Sequence, residues 1–145
     1  MGLIAKHIYL DTNVFIAMVE RKNEELRAFI DRVSTAGYRL FTSEITLAEL
    51  LVKPFEEADR ELILAYDQFI TTGPLMTVLP VSRNILRKSA ELRAIFGTKL
   101  PDSVHVATAV EQQCRLFLSS DRRLKLPENI CQVRVEEISS VITNG

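Results

Sequence analysis

Four carboxylates have the type and placing to do chemistry in this chain: Asp11 after HIYL, Glu49 within TLAEL, Asp102 behind Pro101 and Asp121 after LFLSS. They are 38, 53 and 19 positions apart, so only a fold can gather them. Carboxylates crowded together repel one another and shift their pKa values upward unless a cation sits among them. Oxygen donors with few histidines suit a hard divalent ion, Mg²⁺ or Mn²⁺. Such an ion can activate a water as nucleophile and offset charge on a phosphoryl oxygen, and a second ion, if bound, can steady the leaving oxygen. The chemistry indicated is hydrolysis of a phosphodiester without a cysteine, serine or histidine nucleophile. In keeping with it, the sequence contains no G-x-S-x-G, no GxxxxGK[ST] and no GxGxxG.

Each acid also has a simpler reading. Asp11 and Asp121 serve as helix N-caps or turn formers, each worth about 1 kcal/mol. Glu49 completes a capping box, T-x-x-E, with Thr46. Asp102 in a first helical turn gains about 0.3–1 kcal/mol from the helix dipole. Taken together these readings weaken, because Asp102 heads a segment apolar almost all round and is expected to be partly desolvated. Glu44 rivals Glu49 by lying nearer a strand end, and reads as a solvated surface residue. His105, among apolar neighbours, reads as a packed or hydrogen-bonded helix residue rather than a ligand.

The elements that must position these groups follow from periodicity. HIYL, YRLFTS, MTVLPV and RLFLSS read as strands, and CQVRV as a short edge strand. Between them lie helical patterns: Leu26, Phe29, Ile30 and Val33 before Gly37; a segment opened by Pro54 carrying Leu62, Tyr66, Phe69 and Ile70; and Ile85, Leu92 and Phe96 between a Ser82 cap and Gly97. A last helix, opened by Pro101, carries Val104, Val106, Ala107, Ala109 and Val110 and is expected to be buried. Strands alternating with helices predict an α/β fold around a parallel sheet, which binds ligands beyond the carboxyl ends of its strands. With 145 residues and no linker-like tract, one domain over 1–145 is expected.

The 18 basic and 19 acidic residues leave a net charge of −1, so any site for a polyanion must be local. The longest apolar run, VFIAMV, is far short of the roughly 18 residues of a membrane span. The MGLIAKH start lacks a signal-peptide core, and a cytoplasmic protein is expected. Cys114 and Cys131, with no CxxC pair, are expected to be reduced and buried.

In their order and spacing, IYLDTNVFIA, TSEITLAELL, KLPDSVHVATA and LFLSSDRRL make the chain resemble the PIN-domain proteins, most closely the VapC-type toxins of toxin-antitoxin pairs, over roughly residues 7 to 126. The resemblance implies a single PIN-like domain with a central, mostly parallel, four- or five-stranded sheet flanked by helices. It implies an Mg²⁺- or Mn²⁺-dependent endoribonuclease whose acidic pocket is Asp11, Glu49, Asp102 and Asp121, with Asp11, Asp102 and Asp121 on the metal. Thr12 and Asn13 match the polar pair after the first acid, where they bond to the carboxylates or to a water of the metal; from the residues alone they equally form a helix-start turn. Ser119 and Ser120 stand where the family often carries Ser or Thr. The implied partners are an RNA substrate, a second copy in a homodimer and a small antitoxin, with DNA engaged only through the antitoxin and no membrane.

RNA requires local positive charge. Arg122 and Arg123 beside Lys125, and Arg83 and Arg87 beside Lys88, are the candidates for backbone phosphates. A solvated face of mixed charge is the plain alternative. Two rival functions stay open at this point: a non-catalytic PIN-like binding module, and an aspartyl-phosphate phosphatase. The latter expects a second Asp two positions after the first, where this chain has Asn13.

Overall fold

Side chains alternate across each strand, and here both faces are apolar, so the sheet must be covered on both sides. In the computed structural model, which describes residues 6–138, β1 (His7–Leu10) sends Ile8 and Leu10 to one core and Tyr9 to the other. Five parallel strands run in the order β3-β2-β1-β4-β5, with β2 at Arg39–Ser43, β3 at Met76–Leu79, β4 at Leu116–Leu118 and β5 at Cys131–Val133. β1 is therefore central, with Tyr9 level with Phe41 on one neighbour and Phe117 on the other. The first core joins Leu40, Met76, Val78 and Leu118 to α1 (Thr12–Val19), α2 (Glu24–Thr35), α3 (Glu44–Glu56) and α4 (Arg60–Phe69). The second joins Tyr9, Phe41 and Phe117 to α5 (Arg83–Phe96) and α6 (Leu100–Glu111).

Helix boundaries follow local chemistry. Asn23, Asp59 and Ser82 cap α2, α4 and α5 by accepting from backbone N–H groups. Gly97 ends α5 with φ +69°, a left-handed conformation that favours glycine. α6 starts without a side-chain cap, its first turn held by Pro101. Residues 103 to 109 of α6 are all buried, as its apolar circumference predicts.

Three expectations need correction. Thr46 does not cap a helix: Ser43 does, accepting from Ile45 N at 3.1 Å, so Glu49 lies in the second turn of α3 and the T-x-x-E box does not form. The physical reason is that β2 runs directly into α3, which puts the cap at the last strand residue. Pro54 opens no helix. It is buried inside α3, which ends two residues beyond it, and α4 starts from Asp59. Cys114 is buried but Cys131, on the terminal strand β5, is exposed; both are free thiols.

Leu50 is buried and Leu47 and Leu51 pack against the first core, whereas Phe55 is 63% exposed and Val52 and Leu64 are exposed as well. No described helix is long and apolar enough to cross a membrane. The MGLIA start lies outside the described residues.

Candidate active site

The carboxyl edge of β1 and β4 is where the backbone stops pairing and side chains take over. Asp11 N donates to Leu118 O at 3.0 Å, the last rung between these strands. Asp11 Oδ1 then caps α1 by accepting from Thr12 N at 2.8 Å, while Oδ2 accepts from the Ser119 hydroxyl at 2.7 Å. Ser119, with no exposed surface, is a hub: its Oγ also accepts from Asn13 Nδ2 at 3.1 Å and from Asp121 N at 3.1 Å. Asn13 completes the tie by accepting from Ser120 N at 3.1 Å and contacting Asp11 Oδ2 at 3.4 Å. The turn beyond is held by Gln132 Nε2, which donates to Ser119 O and Asp121 O at 3.0 and 2.8 Å.

Glu49 reaches the same rim from α3. Its Oε1 accepts from Thr12 Oγ1 at 2.6 Å and is 2.6 Å from His105 Nε2. Partial burial alone would raise the Glu49 carboxyl, but the bonds from His105 and Thr12 outweigh it and hold the group below its ordinary value. His105 is 2% exposed and packs as a hydrogen-bonded helix residue, as its apolar neighbours suggest. Its Nε2 also lies 3.7 Å from Asp11 Oδ1, and its Nδ1 lies 2.6 Å from the hydroxyl of the fully buried Tyr9. Burial first, and then the charge of Asp11, push the Tyr9 phenol well above its usual value, which keeps it protonated.

Asp102 differs from the other acids. It is half-buried in the first turn of α6, and among the described residues no group donates a hydrogen bond to its carboxylate. Its carboxyl is raised, first by burial and then by the negative charges of Asp11, Asp121 and Glu49, with His105 opposing. All four acids therefore lie within one electrostatic neighbourhood. Among the described residues no three of the His, Cys, Asp and Glu side chains close into a ready metal cage. The donor set is nonetheless of the kind Mg²⁺ takes, one or two carboxylates with waters and substrate phosphates supplying the rest. An open, unbonded carboxylate beside a second one fits that requirement.

Comparison with known families matches residues 8–128 to the PIN domain. The chain belongs to the PIN domain family. No curated protein sequence matches it. Among solved structures, VapBC2 from Rickettsia felis bound to a DNA fragment from their promoter is similar with a TM-score of 0.74 at 15% identity, covering 88% of this chain and 98% of that one. DNA-bound VapBC from Salmonella typhimurium matches with a TM-score of 0.72 at 19% identity, covering 88% and 97%. VapC20 from Mycobacterium tuberculosis, a sarcin-ricin loop cleaving toxin, matches with a TM-score of 0.60 at 13% identity, covering 76% and 86%. The shared feature is the VapC toxin fold.

In this PIN domain the carboxylates and the polar Thr12, Asn13 and Ser119 converge on one rim, whereas Ser120 takes part through its backbone N–H. Asp121 turns its Oδ1 back to accept from Arg123 N at 2.9 Å, so the turn-forming role expected of it is real. Arg122 and Arg123 are exposed beside it. Arg83 and Arg87 are exposed on α5 and pair with no described residue. Sequence reasoning does not place Tyr9, His105 or Gln132 in the site. The hints at the first two are the polar Tyr9 within the apolar β1 and the imidazole of His105 between Val104 and Val106 of α6.

Proposed function

We propose that this PIN domain is a divalent-metal-dependent endoribonuclease of the VapC type. The observation that carries the reading is Asp102, a half-buried carboxylate without a hydrogen-bond donor among the described residues, raised first by burial and then by the charges of Asp11, Asp121 and Glu49. A fold that leaves such a group unneutralised is arranged for a cation. Nuclease activity is typical of the family to which residues 8–128 belong.

Asp11, Asp102 and Asp121 are the residues that would hold Mg²⁺ or Mn²⁺. When bound, such an ion lowers the pKa of an attacking water and offsets charge on the phosphoryl oxygen. The chain's own part is positional. Ser119 and Thr12 N fix both oxygens of Asp11. Thr12 and His105 hold Glu49 by Oε1 and keep it ionised, which leaves Oε2 free to accept a proton at the pocket rim. Arg122 and Arg123 stand at the edge of the pocket, where backbone phosphates would pass. Asn13 is committed to Ser119, Asp11 and Ser120 and offers no second acid, which disfavours aspartyl-phosphate chemistry.

The partners proposed are RNA as substrate, an antitoxin and a second copy of the chain, in the cytoplasm. Similarity to toxin-antitoxin complexes supports the antitoxin, with DNA reached only through it. Exposed Val52, Phe55 and Leu64 offer apolar area for protein contacts. The test is cleavage of total cellular RNA by the purified chain with Mg²⁺, Mn²⁺ or EDTA, beside Asp11→Asn. Metal-dependent cutting that the substitution abolishes is expected; undiminished cutting in EDTA overturns the proposal.

A further inference from the structure

We propose that the cleft beside the acidic rim is a base-reading subsite that takes a guanine of the RNA strand, with Arg21 on its O6 and N7 and Glu136 on its N1–H and N2–H groups. The ligand class rests on the nuclease reading; the shape and charge of the cleft do not. About 360 Å³ in volume, the cleft opens between the α1–α2 junction and a 3₁₀ turn at Val135–Glu137 that follows β5. Asn13 and Ala17, four apart on α1, and Arg21 just past its end line it, together with Ser120 after β4 and Glu136 in the turn. Val135 packs against the same core as α1 and α2, which puts the turn and both helices on one face of the sheet. The chain reverses after Arg21 at Lys22, left-handed with φ +50°, and Asn23 N donates to Ala17 O at 3.0 Å, so backbone bonds close the junction. Asn13 is the partition between cleft and acids, since its side chain bonds to Asp11, Ser119 and the Ser120 N–H. A base seated in the cleft therefore belongs to a nucleotide beside the one at the acids.

Three charged side chains line this space, Arg21, Glu25 and Glu136, and none of them forms an ion pair with a described residue. Ala17 carries too small a side chain to fill the gap. Asn23 uses its Oδ1 to cap α2, and Ser120 gives only its N–H to Asn13, so the Asn23 amide N–H₂ and the Ser120 hydroxyl are unengaged among the described residues. Donors and acceptors thus share a space at the lower end of the roughly 300–1,000 Å³ usual for ligand sites. One guanidinium against two carboxylates leaves the cleft net negative, which turns phosphates away and admits an uncharged group. A basic side chain of a partner protein would meet the Arg21 guanidinium, so the opposed charges favour a neutral ligand that both donates and accepts. Single-stranded RNA supplies such groups in its unstacked bases, which are read along their edges. Guanine is the base that presents two adjacent donors, N1–H and N2–H, for one carboxylate to accept together. It also presents two adjacent acceptors, O6 and N7, which match the fork of one arginine. Glu25 then adds the negative charge that keeps the backbone out of the cleft.

The deciding experiment is fluorescence anisotropy of labelled hexaribonucleotides with the full chain in EDTA, where no metal supports cutting. The strands are hexauridine and the same strand with guanosine, adenosine, cytidine or inosine at one interior position. The guanosine strand is expected to bind roughly 5–150-fold more tightly than the uridine, adenosine or cytidine strands, the discrimination of a good bidentate base contact. Inosine, which keeps O6, N7 and N1–H but lacks the 2-amino group, is expected to fall between guanosine and adenosine. Arg21→Ala and Glu136→Gln are each expected to erase most of the preference while binding to hexauridine changes little; both positions are exposed, so the fold is retained. Wild-type binding without preference among the bases, as expected if the cleft awaits a partner protein's side chain, overturns the proposal. So does an Arg21→Ala chain that weakens on all strands alike and loses about 0.7 from the slope of log K against log salt, the signature of a phosphate contact. Mapping the cut ends of total cellular RNA separates this from the nuclease reading. With Mn²⁺, guanine is expected at one fixed place beside the cut, and Arg21→Ala is expected to remove that bias. Metal-dependent cutting without the bias overturns the guanine site alone; selective guanine binding without cutting by any metal overturns the nuclease reading alone.

Discussion

Replacing Ser119 by alanine removes a single buried oxygen and breaks three hydrogen bonds. Its hydroxyl donates to Asp11 Oδ2 at 2.7 Å and accepts from Asn13 Nδ2 and Asp121 N, both at 3.1 Å. A hydrogen bond to a charged group is worth roughly 1.5–3 kcal/mol net and a neutral one roughly 0.5–1.5. Asp11 and Asp121 border an open pocket, so water recovers part of each loss, and Ser119→Ala is expected to cost about 2–4 kcal/mol. For a chain of 145 residues that corresponds to a fall in Tm of roughly 4–16 °C. Ser120→Ala is the matched control. Ser120 is exposed and contributes its backbone N–H, which the substitution keeps, so its effect should stay within about 0.5 kcal/mol. Urea unfolding of the three proteins in EDTA gives both numbers. Cleavage is expected to fall by about 10–100-fold in Ser119→Ala, because Asp11 loses the donor that fixes its Oδ2 while keeping the one from Thr12 N at Oδ1. If the two alanine variants unfold within about 0.5 kcal/mol of one another, the margin set for the control, the hub assigned to Ser119 is wrong.

Three further outcomes are expected. Asp102→Asn should raise the thermal midpoint of the metal-free chain, since it removes the carboxylate repelled by Asp11, Asp121 and Glu49, while abolishing the midpoint shift produced by Mn²⁺ and lowering cleavage by more than the ~100-fold upper range of outer-shell changes; a midpoint that falls in EDTA refutes the repulsion. The pH dependence has a definite sign: a carboxyl raised in the folded state costs stability when ionised, so the advantage of Asp102→Asn over wild type should be full above the raised value and disappear as pH falls below the ordinary 3.8, as followed by urea unfolding at several pH values. Arg122→Ala and Arg123→Ala should weaken RNA binding with little dependence on sequence, and each phosphate left without its arginine should flatten the slope of log K against log salt by about 0.7 for single strands; unchanged slopes would remove these residues from the RNA path.

The alternation of strands and helices was legible because each strand is short and apolar and each helix shows its own punctuation. Gly97 and Ser82 bracket α5 as their chemistry requires, and the apolar circumference of α6 announces its burial. The capping of α3 was not legible. Ser43 and Thr46 are both good caps, and the choice is made by where β2 stops pairing with β3 at the Ser43–Leu79 register, a tertiary fact. Pro54 misleads for a related reason, since proline starts helices more often than it sits inside them, and here it lies close enough to the end of α3 to be accommodated. Asp11, Asp102 and Asp121 could be singled out as candidates because each stands at a strand end or a helix start, whereas Glu49 is preferred to Glu44 on the LAEL match to the PIN-domain pattern. The link from Tyr9 through His105 to Glu49 could not, because it joins residues 96 and 56 positions apart across the sheet.

The pocket treats its acids unequally, and that inequality bears on what they do. Asp11 is bonded at both oxygens, Glu49 is bonded twice at one oxygen, and Asp121 is bonded within its own turn. Hydrogen bonds to the ionised form fix a carboxylate in space and lower the cost of its charge. Asp102 has the repulsion of the other three and no such bond among the described residues. If the four served only as caps and turn formers, Asp102 would be the easiest to lose, because Pro101 already supports the start of α6. Its ionised form costs stability where nothing positive faces it, and a cation beside it reverses that cost. A basic side chain of a partner protein and a divalent ion both supply that charge, but they differ in what they need from Glu49. A partner's side chain is satisfied by any nearby carboxylate, whereas hydrolysis requires an ionised oxygen held at a fixed place beside the ion. The fully buried Tyr9, the nearly buried His105 and the Thr12 hydroxyl all act to hold that one oxygen, and so favour chemistry over docking.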